Sequence, residues 1–97
     1  MKILNPDDQS HTLSVYPALY SAKVIFTILH ELSGQSETFT LDATTTGNYL
    51  ELEAFTYTVK EGGSYELTIK DFDTEAVIYR GKAYGTSASD LQNYKLL

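Results

Sequence analysis

Residues 61–71 read Glu61-Gly62-Gly63-Ser64-Tyr65-Glu66-Leu67-Thr68-Ile69-Lys70-Asp71, and this stretch decides the fold. Tyr65, Leu67 and Ile69 alternate with Glu66, Thr68 and Lys70, a period of two that turns one row of side chains toward a core and the other toward water, the pattern of a half-buried β-strand. The Gly-Gly pair ahead of it is the strongest turn signal in the chain. A second, polar turn, Asp71-Phe72-Asp73-Thr74-Glu75, follows it, and residues 76–84 then supply a return strand. A hairpin is the simplest arrangement of these pieces.

Toward the N-terminus, residues 49–59 carry two apolar registers. Leu50, Leu52 and Ala54 face one way with Glu51 and Glu53 opposite, after which Phe55, Tyr57 and Val59 take over. A strict period of two cannot hold both sets on one face, so a bulge or bend is expected at Ala54-Phe55, in one long bent strand or between two. Residues 37–42 form a strand with Phe39 and Leu41 pointing together, ended by Thr44-Thr45-Thr46-Gly47. Residues 23–31 are the most apolar run, with Val24, Phe26 and Ile28 on one face and Ile25 and Leu29 on the other, as in a central strand or one covered on both sides. Ser33-Gly34-Gln35 is the turn after it. Residues 11–16 alternate with Leu13 and Val15 together until Pro17 stops them. At the far end, residues 85–93 read as a loop or edge crossing and residues 94–97 as a last short strand.

No stretch keeps an i, i+3, i+4 apolar pattern for three helical turns. Seven or eight short strands punctuated by turn signals predict an all-β sandwich, or a small β-barrel as the alternative, with its layers sharing one core. At 97 residues, a single β-sandwich domain over residues 1–97 is expected. Area scaling puts roughly two thirds of the unfolded surface out of water on folding, enough for a core held by packing. With no cysteine, that packing has no disulfide to help it, and thiolate metal sites and cysteine nucleophiles are excluded.

Thirteen acidic residues against seven basic ones give a net charge of −6, spread along the chain. Phosphate backbones and anionic membranes repel such a surface, so neither nucleic acid nor membrane is expected as a partner. The opening Met1-Lys2-Ile3-Leu4-Asn5-Pro6-Asp7-Asp8 has no apolar run of the kind a secretory signal needs, and synthesis in a cytoplasm is expected.

Candidates for chemistry are few, and no enzyme, cofactor or metal is expected. His11 and His30 have no serine or acid at the spacing of a nucleophile motif, and surface or capping roles are expected of them. Asp71, Asp73 and Glu75 stand at the spacing of the first ligands of a calcium loop, but Ala76 replaces the sharp-turn glycine and Lys82 the closing glutamate. A hairpin turn whose Asp side chains cap backbone amides is the expectation. Glu51 and Glu53 project from one strand face about 7 Å apart, with nothing to split their acidities. Tyrosine is the outstanding residue, with eight copies against four Phe and no Trp. Its apolar ring and polar tip suit half-buried sheet positions and interfaces alike.

Two motifs add a resemblance. Gly63-Ser64-Tyr65-Glu66-Leu67-Thr68-Ile69-Lys70-Asp71 resembles the Gly-x-Tyr-x-apolar-x-apolar-x-Asp strand of immunoglobulin-like domains, in which the tyrosine often forms a corner with the preceding loop. After it, Asp73-Thr74-Glu75-Ala76-Val77-Ile78-Tyr79-Arg80-Gly81-Lys82-Ala83-Tyr84-Gly85-Thr86 resembles the final hairpin arm of small virion proteins of tailed bacteriophages, and the opening Ile3-Leu4-Asn5 before a polar turn is similar to theirs. The likeness covers about a third of the chain and brings no active site with it. It implies an immunoglobulin-like β-sandwich, made in the host cytoplasm and carried in the virion as a capsid decoration or head-fibre base module. Its partners would be other virion proteins, with many copies per particle and a homo-oligomer as a further possibility. Tyr79, Arg80, Lys82 and Tyr84 are the interface candidates, since Arg and Tyr serve interfaces well. A tail or neck component is one alternative, and a carbohydrate-binding or adhesion module, which needs an exposed row of Tyr or Phe, is another.

Overall fold

The structure is a computed structural model that describes residues 2–87. It is an all-β sandwich, with nine strand segments and no helix among the described residues: β1 (Lys2–Leu4), β2 (Ser10–His11), β3 (Ser14–Val15), β4 (Lys23–His30), β5 (Ser36–Thr46), β6 (Tyr49–Leu52), β7 (Phe55–Thr56), β8 (Ser64–Asp71) and β9 (Val77–Gly85). The expected loop over residues 85–93 and strand over 94–97 fall largely or wholly outside the described residues. Gly85 itself closes β9.

One layer runs β1-β9-β8-β4 and ends on the first part of β5; the other is built from the end of β5, then β6 and β3, flanked by the small β2-β7 pair. Every pairing is antiparallel except that of β1, which lies parallel to β9 with Lys2, Ile3 and Leu4 opposite Ala83, Tyr84 and Gly85. The long β5 joins the layers. Its first half pairs with β4 from Ser36 to Asp42, and its second half pairs with β6 from Ala43 to Thr46. At the crossover, Glu53 N–H donates to the Asp42 carbonyl and Glu53 Oε1 accepts the Asp42 N–H at 2.9 Å. Glu53 therefore fastens the bend.

The core is the sum of the alternating rows. Val24, Phe26 and Ile28 of β4 and Tyr65, Leu67 and Ile69 of β8 face Val15, Leu50, Leu52 and Phe55 of the other layer, all buried. Fully burying such aliphatic and aromatic side chains stabilises by about 1.5–3 kcal/mol each before entropy is counted. The expected irregularity at Ala54-Phe55 is present. β6 ends at Leu52, β7 begins at Phe55, and the two intervening residues return Phe55 to the same buried face as Leu50 and Leu52. The run at β4 is a central strand between β5 and β8, with Ile25 and Leu29 half-buried on an outward face that no other described strand covers. The β8–β9 hairpin also forms, with a register shift at Ile69/Lys70 that turns Ile78 into the core. Glu61-Gly62-Gly63, by contrast, turns the chain from the second layer back to the first.

One expectation about the strands requires correction. Thr44-Thr45-Thr46 does not break β5, because the three threonines pair with Glu51, Leu50 and Tyr49 of β6, and the turn falls at Gly47-Asn48. β-Branched threonine favours the extended strand that this run continues. The opening polar segment contains a further strand, β1, too short for periodicity to reveal.

The corner before β8 forms as the tyrosine motif implies. The Tyr65 hydroxyl accepts the Lys60 N–H at 2.8 Å while its ring lies buried at the start of the strand. A Cβ on Gly63 would stand 2.8 Å from that hydroxyl and 3.1 Å from the Lys60 carbonyl, so only glycine leaves the corner room to close.

Candidate binding surfaces

The four interface candidates all lie on β9, but they do not share a face. Cross-strand partners point to the same side of a sheet. Tyr79 pairs with buried Ile69, and Gly81 with buried Leu67, so this row faces inward. The Tyr79 ring packs half-buried against the core, over Gly81, where a Cβ would collide with its hydroxyl. Arg80, Lys82 and Tyr84 pair with Thr68, Glu66 and Ser64 and face outward. Tyr79 is therefore a packing residue: the strand's own period of two sets it opposite Arg80, Lys82 and Tyr84, and the register shift lies beyond it, between Tyr79 and Val77.

The outward face of the five-stranded layer is a grid. Its rows run Thr40-Ile25-Lys70-Val77, Thr38-Thr27-Thr68-Arg80 and Ser36-Leu29-Glu66-Lys82. The Thr27 and Thr38 hydroxyls meet at 3.2 Å, tying the central polar row together. Lys23, Lys70, Arg80 and Lys82 place four of the chain's seven basic residues here, against Glu31, Asp42 and Glu66 among its thirteen acids. Lys82 bonds to Glu31, which raises the Lys82 pKa, and Lys23 stands 4.6 Å from the centre of the Phe72 ring. Among the described residues, Lys70 and Arg80 have no carboxylate partner.

On the outward face of the other layer lies a surface that sequence reading did not assemble. Tyr16 follows β3 and Tyr49 opens β6, and the pairing of Val15 with Leu50 brings them side by side, with ring centroids 4.3 Å apart. The neighbouring Tyr49 hydroxyl, together with the charge repulsion of a second phenolate, raises the Tyr16 pKa. Tyr20, from the segment crossing to β4, donates its hydroxyl to the Asn48 carbonyl at 3.0 Å. Tyr16, Leu19, Tyr20 and Tyr49 are between 42% and 63% exposed, a cluster of large apolar side chains left in water. Beside it runs a shallow groove of about 380 Å³ lined by Tyr20, Ser21, Ala22, Ala43, Thr44 and Thr45. A signal for it exists in the sequence, since residues 12–22 and 43–50 carry no charge in a chain that is 21% charged. What sequence reading lacked was the strand pairing that joins the two stretches.

The remaining polar groups serve the fold. Of the surface and capping roles expected of them, the surface placement fails, since His11 and His30 are both buried. His11 Nε2 lies 3.0 Å from the Tyr57 carbonyl, and His30 Nδ1 lies 2.8 Å from the Ser33 hydroxyl, which also accepts the Gln35 N–H. The Asp71–Glu75 turn is a capped hairpin turn, as expected. Asp71 Oδ2 accepts the N–H of Asp73 and both the N–H and the hydroxyl of Thr74, at 2.8–3.1 Å. These bonds, with one from the Ser21 hydroxyl as the largest influence, hold the Asp71 carboxyl below its usual range. No group of acids and histidines among the described residues is placed to hold a metal ion. No helix among the described residues is long and apolar enough to cross a membrane.

No protein-family model, curated protein or solved structure matches the chain.

Proposed function

We propose that this chain is a non-enzymatic structural protein of a tailed-bacteriophage virion, a capsid decoration or head-fibre base module. It seats the outward face of its five-stranded layer on an acidic surface of another virion protein. The observation that carries the docking face is charge. An acidic molecule has gathered most of its cations on one sheet face and left Lys70 and Arg80 there without carboxylate partners among the described residues. Complementary potentials steer encounter and fix orientation. The virion assignment is supported by the likeness of residues 73–86, the turn and strand that bring Arg80, Lys82 and Tyr84 to this face. Affinity would come from area, roughly 800 Å² per partner, repeated over a symmetric lattice.

Mass spectrometry of purified particles tests the reading. We expect the chain at fixed stoichiometry, in the hundreds of copies on a capsid lattice, and the double variant Arg80→Glu/Lys82→Glu folded but depleted from particles. Absence of the unaltered chain from particles would refute the assignment, and full occupancy by the double variant would refute the docking face.

A further inference from the structure

We infer that the tyrosine cluster and its groove form a binding site for a neutral carbohydrate, separate from the sheet face that seats the protein. Two uncharged stretches lie apart in the sequence, and the pairing of β3 with β6 joins them into one surface. A polyanion would need cations here, and the charged residue that pairs into this surface is an acid, Glu51 opposite Thr44 and Ser14. This surface offers Tyr16, Tyr20 and Tyr49 rings with threonine, serine and asparagine groups around them. A neutral sugar presents the matching chemistry, with C–H faces that lie on aromatic rings and hydroxyls that exchange hydrogen bonds with short polar side chains.

The site is also partly ordered before any ligand arrives. The Tyr16–Tyr49 ring contact and the Tyr20–Asn48 hydrogen bond hold three exposed rings in place, so binding has little side-chain freedom left to remove. The open, shallow shape suits the side or end of a chain of sugars and does not enclose a single ring.

The test is NMR titration of the whole chain with neutral oligosaccharides (gluco-, galacto- and N-acetylglucosamine oligomers) and with a uronic-acid oligomer as the charged control. We expect shifts centred on Tyr16, Tyr20, Tyr49 and Thr44 with at least one neutral oligomer and none with the acidic one. Tyr16→Ala and Tyr49→Ala should each weaken binding about tenfold, the loss of one good contact. Thr44→Arg fills the groove while facing Glu51 across the strands, so it should keep the fold and abolish binding. The proposal is overturned if no neutral oligomer shifts these residues, or if binding is unchanged in all three variants. It is equally overturned if the patch responds only to a virion protein.

Discussion

Tyr65 shows how one side chain can hold a fold together from both ends. Its ring meets His30 and Tyr57, at centroid distances of 5.0 and 5.8 Å, while its hydroxyl takes up the backbone N–H of Lys60 from the preceding loop. Tyr65→Phe keeps the ring and removes the acceptor, so urea unfolding should show a loss of about 1 kcal/mol. Tyr65→Ala also removes the ring and should cost about 3–5 kcal/mol. Equal stability of Tyr65→Phe and the unaltered protein would mean that the corner bond contributes nothing. Acid sensitivity arises at the same scale. Asp71, bonded to Ser21 and to the Thr74 amide, and Glu61, bonded to the Ser87 amide and hydroxyl, are both held below the usual carboxylate range. A depressed carboxyl binds fewer protons folded than unfolded. Its stabilisation is therefore complete above the ordinary carboxylate values near pH 4 and declines as pH falls through the folded values. Melting temperature should fall on acidification below about pH 4, and less steeply in Asp71→Asn. An unchanged slope in that variant would remove Asp71 from the account. The histidines belong to this scale too. His11 shares the parity of Leu13 and Val15, and His30 that of Val24, Phe26 and Ile28, so their burial was legible in the period; their polarity obscured it.

Among the elements, β6–β7 and β5 carry the topology, and they were unequally legible. The change of apolar register at Ala54-Phe55 announces a bulge because two buried sets must share one face, and Leu50, Leu52, Phe55 and Val59 are all buried. Deleting Ala54 should be far more damaging than its exposure suggests. It would remove the bulged residue and straighten the chain where it must bend from the pairing of β6 with β3 into the pairing of β7 with β2. The deletion variant should lack dispersed amide resonances, whereas Ala54→Ser, which keeps the chain length, should fold with a melting temperature within a few degrees of the unaltered protein, as expected of an exposed substitution worth less than about 0.5 kcal/mol. A well-folded deletion variant would show that the bulge is dispensable. The crossing of β5 between layers left no comparable mark. Its threonines fit either a turn or a strand, and the Glu53–Asp42 bonds that bend it join residues 11 apart. Local patterning reports which side chains are buried, but long-range pairing decides where a strand changes sheet. Tyr79, by contrast, was legible in the period: it has the parity of Gly81 and Ala83 and the opposite parity to Arg80, Lys82 and Tyr84, so the four do not share a face.

The whole molecule has two unlike outer faces. One is a five-stranded grid carrying Lys23, Lys70, Arg80 and Lys82; the other bears the uncharged tyrosine cluster. Because the two layers face away from each other, a copy seated by the first would present the second to solution. Chemical footprinting distinguishes this orientation from its reverse, using the chain on assembled particles and the free chain. Amine acylation should modify Lys23, Lys70 and Lys82 in the free chain and spare them on particles, while Lys60, exposed at the corner before β8, reacts in both. Tyrosine nitration should modify Tyr16, Tyr20 and Tyr49 to the same extent in both states, because each is exposed and lies on the opposite layer. Raising the salt concentration should release the protein from particles, since seating through exposed cations is screened over about 10 Å at 0.1 M. The reverse pattern, with lysines reactive and tyrosines protected on particles, would assign the tyrosine cluster to the virion contact. It would also withdraw both the docking face and the sugar site.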